Sequence, residues 1–129
     1  ALPYAEAKAR LAAADCDLGE EFWTVARPNL ARFSDVAEIA RMVRGPVTPF
    51  IEDPAFMASA AGFLPDVIDE TAWKRWTDAV KEATGAKGRA LFMPLRQALT
   101  GSDHGPDMAT LAPLIGRERI ARRLAGETA

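Results

Sequence analysis

A stretch in the second half of the chain holds the residues best suited to chemistry. Lys87 and Arg89 lie in a glycine-rich turn, and Arg96 is a lone cation inside an apolar helical pattern. Because burying an unpaired charge is costly, the Arg96 guanidinium must reach solvent or pair with an anion. Its planar fork of five donors suits a base edge or a phosphate. A salt bridge to a local acid, Asp103 or Asp107, is the alternative.

The other polar residues do not form a catalytic pattern. His104 is the only histidine, and its neighbour Asp103 is a weak orienting partner, because adjacent residues rarely face each other on a helix. The acidic pair Glu20-Glu21 suits a helix start without any acid–base chemistry. The common glycine-rich phosphate-binding motifs are absent, and Cys16 is the only cysteine, expected to be buried. We therefore predict no catalytic residue, no metal site and no cofactor in this chain.

The three tryptophans have two possible roles. Trp23, Trp73 and Trp76 could stack on unpaired bases. They recur at helical spacing with other apolar residues, which favours packing in the core. Trp73 is the one most open to the stacking role.

Charge is unevenly distributed along the chain. Residues 1–86 carry nine Lys or Arg and fourteen Asp or Glu, a net charge of −5, whereas residues 87–129 carry seven and four, a net charge of +3. This asymmetry indicates an anionic partner for the second part, with an ordinary basic surface as the alternative. Four of the cations in this second part are the arginines at 117, 119, 122 and 123. We expect them to form a solvated face that could also touch an RNA backbone.

Composition limits the class of protein. The chain has 129 residues, 49% of them hydrophobic, which fits one compact domain or two small subdomains with a shared core. No apolar run approaches the length of a membrane span, and residues 1–10 do not resemble a signal peptide. We expect a cytoplasmic protein.

Gly, Pro and capping residues divide the chain into helices, and no stretch alternates with a period of two. An all-α fold follows. Ser34 is the expected N-cap of the third helix, and Pro94 is an expected helix start. The predicted helices span residues 4–14, 18–27, 35–44, 54–64, 70–85, 94 onward, 106–115 and 117–125. The Gly- and Pro-rich break at 45–49 divides the chain into helical subdomains 1–45 and 46–129.

The longer patterns are recognisable. The runs KGRALFMPLRQALTG (87–101), HGP (104–106) and LIGRER (114–119) closely resemble the C-terminal region of glutamyl-tRNA synthetases. The runs FW (22–23), RPNL (27–30) and IED (51–53) are similar to bacterial members, particularly in α-proteobacterial style. The resemblance covers nearly the whole chain and is tightest over residues 85–124.

This resemblance implies that the chain is part of a larger enzyme. In the family, an N-terminal catalytic domain activates glutamate with ATP and esterifies the tRNA. Its two signature motifs, of the His-Ile-Gly-His and Lys-Met-Ser-Lys-Ser types, are absent here. The chain thus looks like the last quarter of a glutamate–tRNA ligase, with 1–45 on the anticodon-stem side and 46–129 as the anticodon-binding subdomain. ATP belongs to the parent's catalytic domain.

The resemblance also assigns residues. Arg96 corresponds to the family's arginine that contacts anticodon bases, and Met93 falls at a neighbouring contact position. Gly105, Pro106 and Met108 match the loop and helix start that pack against the unstacked anticodon loop. Lys87 and Arg89 are placed to attract phosphates.

The expected partner is the anticodon loop of glutamate tRNA, bound by a monomer, with no DNA and no membrane. Two alternatives remain: a free-standing helical tRNA-binding protein, and a helical protein–protein adaptor whose basic end binds an acidic partner. The sequence does not decide whether glutamine tRNA is also accepted, nor which of two paralogues the chain represents.

Overall fold

The structure, a computed structural model, describes residues 2–129. Within this range the chain forms α-helices and two short 3-10 turns, Arg27–Asn29 and Phe33–Asp35, and no β-strand. The all-α prediction is therefore confirmed. None of the helices is both long enough and apolar enough to cross a membrane. The helices are α1 (Tyr4–Ala13), α2 (Glu20–Ala26), α3 (Val36–Arg44), α4 (Pro54–Ala61), α5 (Ala72–Thr84), α6 (Arg89–Thr100), α7 (Met108–Ile115) and α8 (Arg117–Leu124).

Most helix ends follow the local signals in the sequence. The Asp53 carboxylate caps α4 by accepting a hydrogen bond from the Phe56 N–H at 3.1 Å, and Pro54 takes the first helical position. Gly45 and Gly85 end α3 and α5 with positive φ angles of 79° and 77°. Glycine adopts this conformation without steric cost, which stops the helix.

Two predicted helix starts are wrong. Pro94 lies inside α6, which already begins after Gly88, a residue without a capping side chain. Pro94 is the sixth residue of α6, where its missing N–H removes one bond from the helical ladder, yet the helix continues to Thr100. Ser34 does not cap α3, because it lies within the 3-10 turn and the helix begins at Val36.

One continuous hydrophobic core draws on residues from both sides of Gly45. Within it, α3 packs against both α6 and α7. Cys16, Trp23 and Trp76 are at most 3% exposed, as predicted, and the two indole N–H groups donate to main-chain carbonyls at 2.7 and 2.8 Å. The division into subdomains 1–45 and 46–129 stays a prediction.

Three helices position the candidate site. α5 packs against α6 and against α7. This arrangement brings the first turn of α5, one face of α6 and the segment before α7 to a common surface.

Candidate nucleic-acid interface

A cleft of about 340 Å³ opens where α5, α6 and the start of α7 meet. Four of the residues predicted to contact RNA line it: Arg89, Met93, Arg96 and Met108. Three further residues complete the lining: Trp73, Phe92 and Asp107. The cleft therefore combines cations, one carboxylate and aromatic rings, which is the chemistry that unpaired bases require.

Arg96 is half-buried at the edge of this cleft. Its Nη2 donates to the Pro106 carbonyl at 3.1 Å, and its buried Nη1 has no partner among residues 2–129. Burial lowers the pKa of Arg96, while the nearby charge of Asp107 opposes that shift. No carboxylate of the described chain lies within 4.0 Å of the guanidinium, so the salt bridge to Asp103 or Asp107 is not formed.

The segment 105–108 packs directly against Arg96. Gly105 has a φ of 149°, and a Cβ added there would lie 3.2 Å from Nη1 of Arg96 and 3.3 Å from the Met42 side chain. Pro106 and Met108 are buried, and Met108 belongs to the core, so it offers the cleft little surface. α7 begins at Met108, which places Gly105-Pro106 just before the helix rather than at its first turn.

Aromatic side chains form one wall of the cleft. Phe92 is 45% exposed, so its ring is accessible from the cleft that it lines. Trp73 is half-buried, with its ring centroid 6.5 Å from that of Phe92 and 5.7 Å from that of the buried Trp76. Trp73 thus connects the core to the surface. Sequence reasoning left Trp73 open and missed Phe92, whose exposure results from how α5 and α6 pack.

Lys87 and Arg89 are exposed at the start of α6. Neither forms an ion pair within the described chain. Arg89 lines the cleft, whereas Lys87 lies outside it in the preceding turn. Both charges are available to an anionic partner.

His104 lies in the exposed loop between α6 and α7. Its Nδ1 is 2.9 Å from the Asp103 carboxylate and its Nε2 is 3.8 Å from the Glu38 carboxylate. The hydrogen bond with Asp103 is the main reason that the pKa of His104 is raised. The objection that neighbouring residues do not face each other is wrong here, because the two lie in a loop and not on a helix. Residues 2–129 contain no group of three or more His, Cys, Asp or Glu placed to hold a metal ion.

The basic last helix needs a correction. Arg117, Arg119 and Arg122 are exposed, but Arg123 is 0% exposed and cannot touch RNA. Its Nη1 donates to the carbonyls of Met42 and Leu99 at 2.6 and 2.7 Å, and its Nε donates to the Ala129 carbonyl at 3.0 Å. Burial, followed by the nearby charge of Arg119, lowers the pKa of Arg123 to about 10, which still leaves it charged near neutral pH.

Comparisons with known proteins place these features in context. The sequence model of a family described as an anticodon-binding domain matches residues 1–126. Glutamate–tRNA ligase 1 of Parvibaculum lavamentivorans is 62% identical over 98% of this chain, and glutamate–tRNA ligase 2 of Methylorubrum populi is 56% identical over 99%. The chain spans only 28% and 29% of the length of these two relatives.

A solved structure shares the fold. A glutamate tRNA ligase from Elizabethkingia meningosepticum, crystallised in complex with its amino acid, superposes with a TM-score of 0.73 at 20% identity. The match covers 93% of this chain and 27% of that one. The helical arrangement described above therefore recurs in a protein with a quite different sequence.

Proposed function

The chain belongs to the family of anticodon-binding domains, and from this premise we propose that it recognises the anticodon loop of glutamate tRNA on behalf of a glutamate–tRNA ligase. Its role in this proposal is recognition. The parent enzyme attaches glutamate to the tRNA with ATP, in a catalytic domain outside these residues. We assign no catalytic residue and no cofactor to this chain. We also propose that the parent is a cytoplasmic monomer.

One observation carries the proposal: four of the residues expected to contact RNA converge on one cleft beside an exposed aromatic ring. Proteins that read RNA by sequence mostly bind unpaired loops, whose bases can be splayed out, stacked on aromatic rings and hydrogen-bonded at their edges. A cleft of about 340 Å³ is large enough to admit an unstacked base. The guanidinium of Arg96 supplies donors to such a base.

The charges around the cleft suit the phosphates of the same loop. Lys87 and Arg89 are exposed and unpaired within residues 2–129, and residues 87–129 carry a net charge of +3. Phosphate contacts fix the register of an RNA without reading its sequence, whereas contacts to base edges provide specificity. We therefore assign Lys87 and Arg89 to the backbone and Arg96 to a base.

The direct test is equilibrium binding of the 129-residue chain to a glutamate tRNA transcript and to one with an altered anticodon. Fluorescence anisotropy across a salt series would measure both. We expect the altered anticodon to weaken binding by about tenfold or more, since a good base contact contributes about 1–3 kcal/mol. Equal affinity for the two transcripts would contradict the proposal. Equally tight binding of a duplex of the same charge would point to the adaptor alternative.

Arg96→Ala tests the base-reading role within that assay. We expect a loss of about 1–3 kcal/mol in binding the cognate transcript and a smaller penalty for the altered anticodon. Stability should fall by only about 1 kcal/mol, because one hydrogen bond to a main-chain carbonyl is lost. The matched control is Arg119→Ala, which removes an exposed arginine outside the cleft. If Arg96→Ala folds and keeps the full anticodon preference, Arg96 does not read a base.

A further inference from the structure

We propose that Asp107 is a specificity-determining residue of the cleft: it accepts a hydrogen bond from the exocyclic amino group of one unstacked base that rests on Phe92 and Trp73, and so disfavours uracil there. The inference rests on the proposed function, because it names the base chemistry that the same cleft selects. The fold itself does not use the carboxylate of Asp107 as a helix cap.

Asp107 is the N-cap residue of α7, yet its side chain makes no capping hydrogen bond. An aspartate at this position ordinarily accepts from an N–H of the first helical turn. The main-chain carbonyl of Asp107 accepts the first helical bonds, from Thr110 and Leu111 at 3.2 and 2.9 Å, as in any α-helix, but the side chain takes no part. The carboxylate forms no ion pair with any residue of 2–129. A charged acceptor therefore lines the cleft with its hydrogen-bonding capacity free.

Asp107 and Arg96 line the same cleft without touching each other. Their charges are near enough for Asp107 to affect the pKa of Arg96, but no oxygen–nitrogen pair comes within 4.0 Å. A long arginine and an aspartate that share a surface often close such a gap. This pair leaves acceptor and donor unconnected on the lining of one cleft.

The aromatic wall of the cleft provides a surface on which a base can stack. The exposed ring of Phe92 lies at 35° to that of Trp73, whose position is fixed by its edge contact with the buried Trp76. A base stacked on an aromatic ring is held in a plane, so its edge meets fixed groups rather than mobile ones. Stacking alone tolerates every base, and the hydrogen bonds at the edge provide the selection.

The chemistry of the edge decides which base fits. Cytosine and adenine each present an amino donor beside a ring nitrogen acceptor, which matches an aspartate next to an arginine. Guanine also carries an amino donor that a carboxylate accepts. The only edge donor of uracil is its ring N–H, which lies between two carbonyl oxygens that repel a carboxylate. The cleft should therefore prefer a base with an exocyclic amino group.

The experiment exchanges each amino-bearing base of the anticodon loop, one at a time, for its counterpart without that group: cytosine for uracil, and adenine or guanine for hypoxanthine. Binding of these transcripts to the 129-residue chain is measured by anisotropy. At one position the wild-type protein should lose about tenfold in affinity, and Asp107→Ala should reduce that penalty to within about twofold. Asp66→Ala, an exposed aspartate outside the cleft, is the charge-matched control and should retain the penalty.

Phe92→Leu is the second variant. It keeps an apolar side chain at a surface position, so the fold should tolerate it, and it removes the stacking face. Affinity should fall by about tenfold for all transcripts while the amino-group preference remains. If the wild type discriminates between anticodons but Asp107→Ala retains the full amino-group penalty, or no exchange matters, the role of Asp107 is overturned and the proposed function stands. If the wild type does not discriminate at all, both are overturned.

Discussion

Two arginines of this chain lie on helices among apolar neighbours, and they differ in what surrounds the guanidinium. Arg123 is fully buried and donates to three main-chain carbonyls, whereas Arg96 is half-buried and donates to one. The Nε and Nη1 groups of Arg123 are thus used by the fold, whereas its buried Nη2 has no partner within residues 2–129. Of the Arg96 nitrogens only Nη2 donates within these residues, and this side chain lines a cleft. The number of fixed acceptors, more than burial itself, separates a structural arginine from one that is available to a ligand.

The environment of Arg123 explains how a buried cation is held without an acid. Met42 and Leu99 lie in the last turns of α3 and α6, where carbonyls have no intrahelical donor and the helix dipole places negative charge. One guanidinium therefore caps two helix ends. The Ala129 carbonyl, its third acceptor, also accepts from the Val47 N–H at 2.9 Å. Arg123 thereby joins both sides of Gly45 to the last residues of the chain.

Arg123→Met is expected to have the largest effect on stability. Methionine fills part of the volume but leaves the carbonyls of Met42 and Leu99 without their donor, whereas the Ala129 carbonyl keeps its bond from the Val47 N–H. Each unsatisfied buried group costs about 1–3 kcal/mol. We expect the free energy of unfolding to fall by about 3 kcal/mol or more, measured by urea denaturation.

Arg119→Met is the matched control for this variant. Arg119 lies on the exposed face of the same helix, so its replacement should change stability little. The folded fraction of Arg123→Met should still prefer the cognate anticodon, the reverse of the behaviour expected for Arg96→Ala. If Arg123→Met proved as mild as the control, or altered the anticodon preference, the contrast between the two arginines would fail.

Gly105→Ala tests how the segment 105–108 holds Arg96, and its expected effect is intermediate. A Cβ there would lie 3.2 Å from Nη1 of Arg96, and the φ of 149° disfavours any residue other than glycine. We expect a loss of about 1–3 kcal/mol in stability from the backbone strain. Tighter contact with the guanidinium should also disturb its bond to Pro106 and weaken anticodon discrimination.

Gly62→Ala provides the comparison for this variant. Gly62 has a φ of −67°, and an added Cβ would meet only the Ser59 carbonyl at 3.4 Å, an ordinary contact. Urea denaturation should therefore show little change for Gly62→Ala. Equal stability of the two variants would show that the loop adapts around residue 105 and does not constrain Arg96.

The sequence predicts the helices well where they carry local signals. The Asp53-Pro54 start and the glycine stops are set by the chemistry of single residues, and each is found where it was expected. The start of α6 was misplaced because Gly88 carries no capping side chain, so Pro94 was the only start signal in that region. A helix that begins without a capping side chain has no start signal that a local sequence pattern can reveal.

Arg123 and Arg96 show the same limit of prediction from local sequence patterns. Arg123 follows Ile120 by three residues and precedes Leu124, a spacing that places it on the buried face of α8 and could have signalled its burial. Its acceptors, however, lie 81 and 24 residues away in sequence, beyond any local pattern. Likewise, Phe92 and Asp107 become neighbours of Arg96 only through the packing of α5, α6 and α7.

The smallest expected effect is a change of charge, and it distinguishes the loop beside Arg96 from the surroundings of Arg123. Arg123 stays charged near neutral pH, since its pKa is about 10, whereas the pKa of His104, in the loop beside Arg96, is raised from its ordinary value of 6.5. The folded pKa of His104 is raised above 6.5, so the stability that it contributes is fully present below that pH and is lost as the pH rises through the folded pKa. Asp103 and Glu38 raise the pKa, and Arg96 opposes them.

An NMR titration of this single histidine measures the effect without interference from another imidazole. Asp103→Asn should lower the pKa of His104 towards 6.5, because it replaces the carboxylate at 2.9 Å that favours the imidazolium. Glu38→Gln should lower it less, because that carboxylate is 3.8 Å away and acts through charge alone. The reverse order, or no change with Asp103→Asn, would mean that the loop next to Arg96 adopts another conformation in solution. Arg123→Met should leave the His104 pKa unchanged while the protein remains folded, because Arg123 is not among the groups that shift this pKa.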